Sequence, residues 1–239
     1  MTSAIRSPWL AGFAVVAVVH LVLNATDAGP WDSITKSLLA PLLLGWVLEQ
    51  RGPRLLAIAL GLCFLGDLFM EFENLFVVGM AAFAGAHVCF IWLFVQRGAV
   101  AKLRERPWIV LVYVLAGLIV VAWSWGGLEP GLRPVIPFYA ALLIGTASTA
   151  LAVDVRAGVG GALFLLSDGI IALAEAGRFD PEAALTGLAI MMLYIGAIAQ
   201  LTVGILTKEK RTLAAGPDFD PTVRTDCWPR LPERSDTPR

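Results

Sequence analysis

Two aspartates lie inside apolar runs of this 239-residue chain. Asp67 closes Phe64-Leu65-Gly66-Asp67, and Asp168 closes Phe164-Leu165-Leu166-Ser167-Asp168. An ionisable group in lipid costs roughly 2.5 to 3.5 kcal/mol on insertion scales, so it is kept where it faces a bundle interior or a wet cavity. Two carboxyls brought close in a low-dielectric pocket do not both ionise readily, and such a pair offers an acid and a base from one residue type. The plainer alternative has each aspartate bonded separately to a helix hydroxyl or amide.

Further polar residues stand on otherwise apolar segments. Lys36 either snorkels to the interface or neutralises an aspartate and grips a phosphate. His87 falls near the middle of its segment, where an imidazole needs a polar partner. His20, Asn24 and Asp27 recur at i, i+4 and i+7, making one polar stripe. Glu71 follows Asp67 by four positions and Glu175 follows Asp168 by seven, each on its aspartate's face or at a solvated helix end. Tyr194 is a site candidate by depth, whereas Gln200, about 600° of helical rotation away, suits helix-to-helix bonding.

The elements that must position these groups are membrane helices. The chain is 58% hydrophobic and 15% charged, with a mean hydropathy of +0.76 and a net charge of −1. Those values exclude a disordered chain, an ordinary soluble domain and a nucleic-acid partner. Tracts such as 109–127 and 136–153 carry no charge at all, which calls for surrounding lipid. Eight segments can be read as transmembrane helices: 8–26, 33–49, 54–72, 75–96, 108–125, 133–153, 158–176 and 183–206. The expected fold is therefore an all-α, polytopic bundle of eight helices over residues 1–206.

Residues 207–239, rich in Pro, Asp and Arg, read as a polar, disordered tail. With the N-terminus cytoplasmic, 11 Lys and Arg fall on the inner side, and only Lys36, Arg133 and Arg178 fall on the outer one. This positive-inside bias places both termini in the cytoplasm of a cell-membrane protein. The first segment reads as a helix rather than a signal peptide, its apolar run being too long for the latter.

Asp67 and Asp168 are 101 residues apart, each in the third helix of a set of four, which is compatible with a parallel four-plus-four repeat. At 1.5 Å of rise per residue they fall within about 5 Å of each other in depth. That depth would let them share one cavity in the outer half. Cys63 and Cys89 lie in apolar tracts and Cys227 in the tail, a spacing that fits neither a disulfide framework nor a metal clip. Nucleotide, nucleophile-elbow and zinc-protease fingerprints are missing, and no cofactor or metal is expected. Gly145, Ser148, Gly158 and Gly161 can pack helices within one chain or between chains, so the oligomeric state stays open.

The pattern resembles the YhhN family of multi-pass membrane proteins, which includes the TMEM86-type lysoplasmalogenases. The resemblance rests on Lys36-Ser37-Leu38-Leu39-Ala40-Pro41, Phe64-Leu65-Gly66-Asp67, Phe83-Ala84-Gly85-Ala86-His87, the run from Gly161 to Asp168, and Ala199-Gln200. Ser37, Phe90, Gly196 and Ala197 depart from the residues the family often has there. The resemblance implies hydrolysis of the vinyl ether bond of a lysoplasmalogen, a lysophospholipid, to a fatty aldehyde and a glycerophospho head group. Asp67 and Asp168 would be the acid and base, and Lys36, His87, Tyr194 and Asn24 would bind substrate or tune the pair. From the residues alone two alternatives remain: a proton- or cation-coupled transporter using the aspartates, and a scaffold whose polar residues only join helices.

Overall fold

The computed structural model describes residues 7–26, 28–180 and 183–214, with backbone only for Glu73 and 211–214. Asp27 and residues 215–239 of the expected tail lie outside the described residues. Among the described residues there is no strand. The chain forms α1 (Pro8–Ala25), α2 (Pro30–Glu49), α3 (Arg54–Phe69), α4 (Phe76–Gln96), α5 (Ala99–Glu105), α6 (Trp108–Ser124), α7 (Val135–Val153), α8 (Val155–Glu175) and α9 (Ala184–Ala214).

Eight of these helices fall on the eight expected segments, with shifted ends. α3 stops at Phe69, which leaves Glu71 in the turn beyond it, and α9 runs past Leu206 to Ala214. The added element is α5, in the connection after α4. Pro107 disfavours helical geometry at the preceding residue. Arg106 accordingly adopts φ −131° and ψ 62°, and α5 and α6 meet at 93°.

The protein is a multi-pass membrane protein. Among the described residues α1, α4, α7, α8 and α9 are each long and apolar enough to cross a bilayer, and α5 with α6 makes a sixth if the bent pair is one span. The 16-residue α3 reaches only about 24 Å, against an apolar core of about 30 Å. Tryptophans mark both ends of the bundle: Trp9 and Trp108 begin α1 and α6, while Trp31 begins α2 and Trp123 and Trp125 end α6, all exposed. Aromatic belts of this kind sit at the two lipid–water interfaces. α6 turns Leu111, Val112, Leu115, Leu118 and Ile119 outward, as a helix bathed in lipid does.

One end of the bundle is tied by polar contacts. Ser7 bonds Glu49, Arg97 pairs with Glu209 at 2.6 Å, and Lys210 donates to Gln50 at 2.7 Å. The start of α1 and the ends of α2, α4 and α9 therefore share that end.

α8 is the most buried of the spanning helices, and small residues let its neighbours approach. Asp154 alone joins α7 to α8, its carboxylate accepting from the backbone N–H of Arg156 at 2.9 Å and Ala157 at 3.1 Å. This cap satisfies the first turn. A Cβ on Gly158 would stand 2.7 Å from Leu151 Cα, and one on Gly161 would stand 2.6 Å from Ala147 Cα. Both glycines thus close the α7–α8 hairpin within one chain. Gly160 does the same for α9, with Leu201 N and Ala197 O at 2.6 and 2.8 Å from its would-be Cβ.

Replacing a helical glycine by alanine normally gains up to about 1 kcal/mol of propensity, but overpacking against backbone costs about 1 to 3 kcal/mol. Gly160→Ala should therefore lower the melting temperature in detergent. Gly61→Ala, whose Cβ meets nothing within 4 Å, should leave it unchanged or raise it; the reverse order would contradict this packing.

Candidate functional site

Five helices converge on the residues singled out by chemistry. α3 brings Asp67, α4 brings Phe83 and His87, α7 brings Tyr139 and Thr146, α8 brings Phe164 and Asp168, and α9 brings Tyr194. Asp67 is 2% exposed, and its Oδ2 accepts the Tyr194 hydroxyl at 2.6 Å. Asp168, half-buried, accepts the Tyr139 hydroxyl at 2.5 Å. Each carboxyl is thus held by one phenol from another helix.

Asp168 belongs to a longer chain of polar groups. The Tyr139 hydroxyl lies 3.5 Å from His87 Nε2, and His87 Nδ1 lies 3.1 Å from Thr146 Oγ1. Since Tyr139 gives its proton to the carboxylate, the consistent directions are Nε2–H toward the phenol oxygen and the Thr146 hydroxyl toward Nδ1. His87, with no exposed surface, is thereby oriented at both nitrogens.

Between the two carboxyls stands an aromatic cluster. The Phe164 ring packs edge-on against Phe83 at 6.0 Å, Tyr194 at 5.6 Å and His87 at 4.6 Å, and His87 meets Tyr139 at 5.7 Å. Gly66 is required here, because a Cβ on it would fall 2.5 Å from the Phe83 ring. Cys63, fully buried one turn before Asp67, feels the charge of both aspartates, and Asp168 acts electrostatically on Asp67. An apolar cavity of about 40 Å³ between α4, α6, α7 and α8 is lined by Asp168, Tyr139, Leu143, Leu165, Val120 and others, with Glu175 also on its wall. Asp67 is not among its lining residues. That volume admits water beside Asp168.

Lys36 lies on the Asp67 side. Its ammonium pairs with Glu71 at 2.6 Å and acts electrostatically on Asp67. Nearby, Asp32 Oδ1 lies 3.1 Å from His20 Nδ1, and its Oδ2 accepts from Asn24 at 3.3 Å. The α1 stripe is thus real for His20 and Asn24, and it faces α2. Asn24 is therefore bound to Asp32 rather than to either site aspartate. Ser167, beside Asp168, instead donates to the Ile190 carbonyl of α9.

Sequence reasoning passed over Tyr139 and Thr146, and gave Phe164, the centre of the ring cluster, no part beyond its place in the Asp168 motif. Tyr139 and Thr146 are spaced i and i+7, on one face of a segment without any charge, and the chain has only three tyrosines.

The family model of the YhhN family matches residues 31–205, which contain both aspartates, their tyrosines, Lys36 and His87. The chain belongs to the YhhN family. Among curated relatives of this YhhN protein, lysoplasmalogenase TMEM86B of Homo sapiens is 30% identical over 204 residues, covering 83% of this chain and 86% of that one. Lysoplasmalogenase TMEM86B of Rattus norvegicus is 29% identical over 170 residues, covering 69% of this chain and 70% of the relative. No solved structure matches.

Glu71, in the turn beyond α3, offers a pH test. Burial works to raise its carboxyl, but Lys36, Ser33 and His20 outweigh that and hold it below the ordinary value of 4.5. A group depressed in the folded state adds stability above its unfolded pKa and loses it as pH falls through the folded one. In wild type the melting temperature should drop on acidification below pH 4.5, and Glu71→Gln should flatten part of that drop. An identical acid limb in the two proteins would rule out the Lys36–Glu71 contribution.

Proposed function

We propose that this YhhN protein is a membrane lipid hydrolase that cleaves the vinyl ether bond of lysoplasmalogens. The observation that carries the reading is the pair of interior carboxyls, each held by a tyrosine, with an apolar cavity reaching one of them. The relatives named lysoplasmalogenase support it, and favour it over a carrier.

The chemistry suits the site. Hydrolysis begins when an acid protonates the β-carbon of the vinyl ether, giving an oxocarbenium ion. Water adds to that cation and loses a proton, and the resulting hemiacetal collapses to an aldehyde and the glycerol hydroxyl. One water is consumed and one C–O bond is broken. In this reading Asp168, which lines the cavity, exchanges protons at the reacting atoms, and Tyr139 and His87 return the proton to it. Asp67, fixed by Tyr194, supplies the second carboxyl that stabilises the cation electrostatically. Lys36 holds the phosphate side of the head group.

In the same reading, all eight long helices are passes, with α3 and α8 as counterparts in two four-helix halves. Residues 1–206 are the membrane body and 207–239 a polar tail. The end tied by Arg97–Glu209 and Lys210–Gln50 is then cytoplasmic, because it gathers the Lys and Arg. Lys36 and both aspartates belong to the outer half of the bundle, in a cell membrane.

Purified protein given a lysoplasmalogen should release aldehyde without any added cofactor. Asp67→Asn and Asp168→Asn should each lower kcat at least about tenfold with melting temperatures unchanged. Tyr139→Phe should lower kcat less, since it leaves the carboxyl in place. Full activity in both aspartate variants would overturn the mechanism.

A further inference from the structure

The α5–α6 elbow is used by nothing in the site above. α5 crosses α6 at 93°, with Ala99 fully buried to anchor it and Trp108, 57% exposed, at the corner. Within residues 102–106 run Lys102, Arg104 and Arg106 with a single acid, Glu105. Among the described residues none of these three cations has a hydrogen-bond or ion-pair partner, in contrast to Arg97, held by Glu209. One continuous face of Val100, Leu103, Pro107, Val110, Leu111 and Val114 lines an open groove that bends with the elbow, and Arg104 forms part of its wall.

We propose that this elbow is a binding site for an anionic phospholipid. The phosphate sits against Arg104 and its neighbouring cations, and an acyl chain lies in the groove down α6. Three considerations select that occupant. The cluster carries a net charge of +2 at the level of an interfacial tryptophan, where phospholipid phosphates lie. Apart from Arg104 the groove is lined by apolar residues, so it matches a hydrocarbon chain rather than a peptide with backbone polar groups to satisfy. The right angle between α5 and α6 lets one molecule contact both, its head group over the short helix and its tail along the long one. A zwitterionic lipid fits the groove equally but brings an ammonium group toward like charge, so the preference is for a net negative head group.

The test uses the full chain in mild detergent, titrated with phosphatidylglycerol or with phosphatidylcholine of the same acyl chains, with bound lipid read by native mass spectrometry. Phosphatidylglycerol adducts should exceed phosphatidylcholine adducts by at least about fivefold. The excess should vanish in K102Q/R104Q/R106Q and persist in R51Q/R54Q. Millimolar inorganic phosphate should leave the lipid adduct in place. Equal adducts for the two lipids in wild type, equal loss in both charge variants, or displacement by inorganic phosphate would each overturn the proposal. The wild-type comparison decides the matter even if a variant fails to fold.

Discussion

A carboxyl group in an apolar bundle must be given a hydrogen-bond donor, and in this chain a phenol from another helix supplies it each time. Tyr194 reaches Asp67 and Tyr139 reaches Asp168. An unmet buried polar group costs about 1 to 3 kcal/mol and more when charged. The two bonds therefore tie α9 to α3 through their side chains and lock α7 onto α8. Much else follows from satisfying them. α4 must present His87 where Tyr139 can meet it, and α8 must present Phe164 between the two pairs.

Glycine makes those approaches possible. Gly66 admits the Phe83 ring, Gly161 admits the backbone of α7, and Gly160 admits that of α9. The motifs on which the family resemblance rests thus divide into two kinds of residue. Gly66 and Gly161 set distances between helices, while Asp67 and Asp168 carry polarity into the space those distances define. Helix association in lipid depends on such close packing, because lipid tails are as apolar as the side chains and supply no hydrophobic drive.

The helices were legible because their signal is local: long uncharged runs, broken by Gly, Pro and Arg at positions such as Gly52-Pro53. α5 was not, since seven residues with Lys102, Arg104 and Glu105 look like any polar connection, and only the corner at Pro107 gives the segment a direction. Both aspartates were legible by cost alone. Of their partners Tyr194 was singled out by its depth, whereas Tyr139 and Thr146 were not, because a tyrosine or threonine in an apolar segment is cheap and ambiguous until a carboxyl or an imidazole from another helix arrives. Asn24 illustrates the converse. Its spacing from His20 correctly indicated a polar face, yet what that face meets is Asp32 on α2, a pairing that depends on how α1 and α2 pack.

The rings packed between the phenols that hold the two carboxyls bear on the proposed chemistry. An oxocarbenium ion is short-lived in water but gains from fixed negative charge and aromatic faces in a dry site. Asp168 stands where a cavity meets lipid-facing helices, and Asp67 stands behind Phe83, Phe164 and Tyr194, on the side of Lys36 and Glu71. An amphiphile has the same polarity along its length: a hydrocarbon tail, a vinyl ether, then a phosphate. Set with its phosphate toward Lys36 and its tail running out past the small cavity beside Asp168, such a molecule would carry its reactive bond past the aromatic cluster. In the proposed reaction both carboxyls would act on it there through a medium too apolar to screen them.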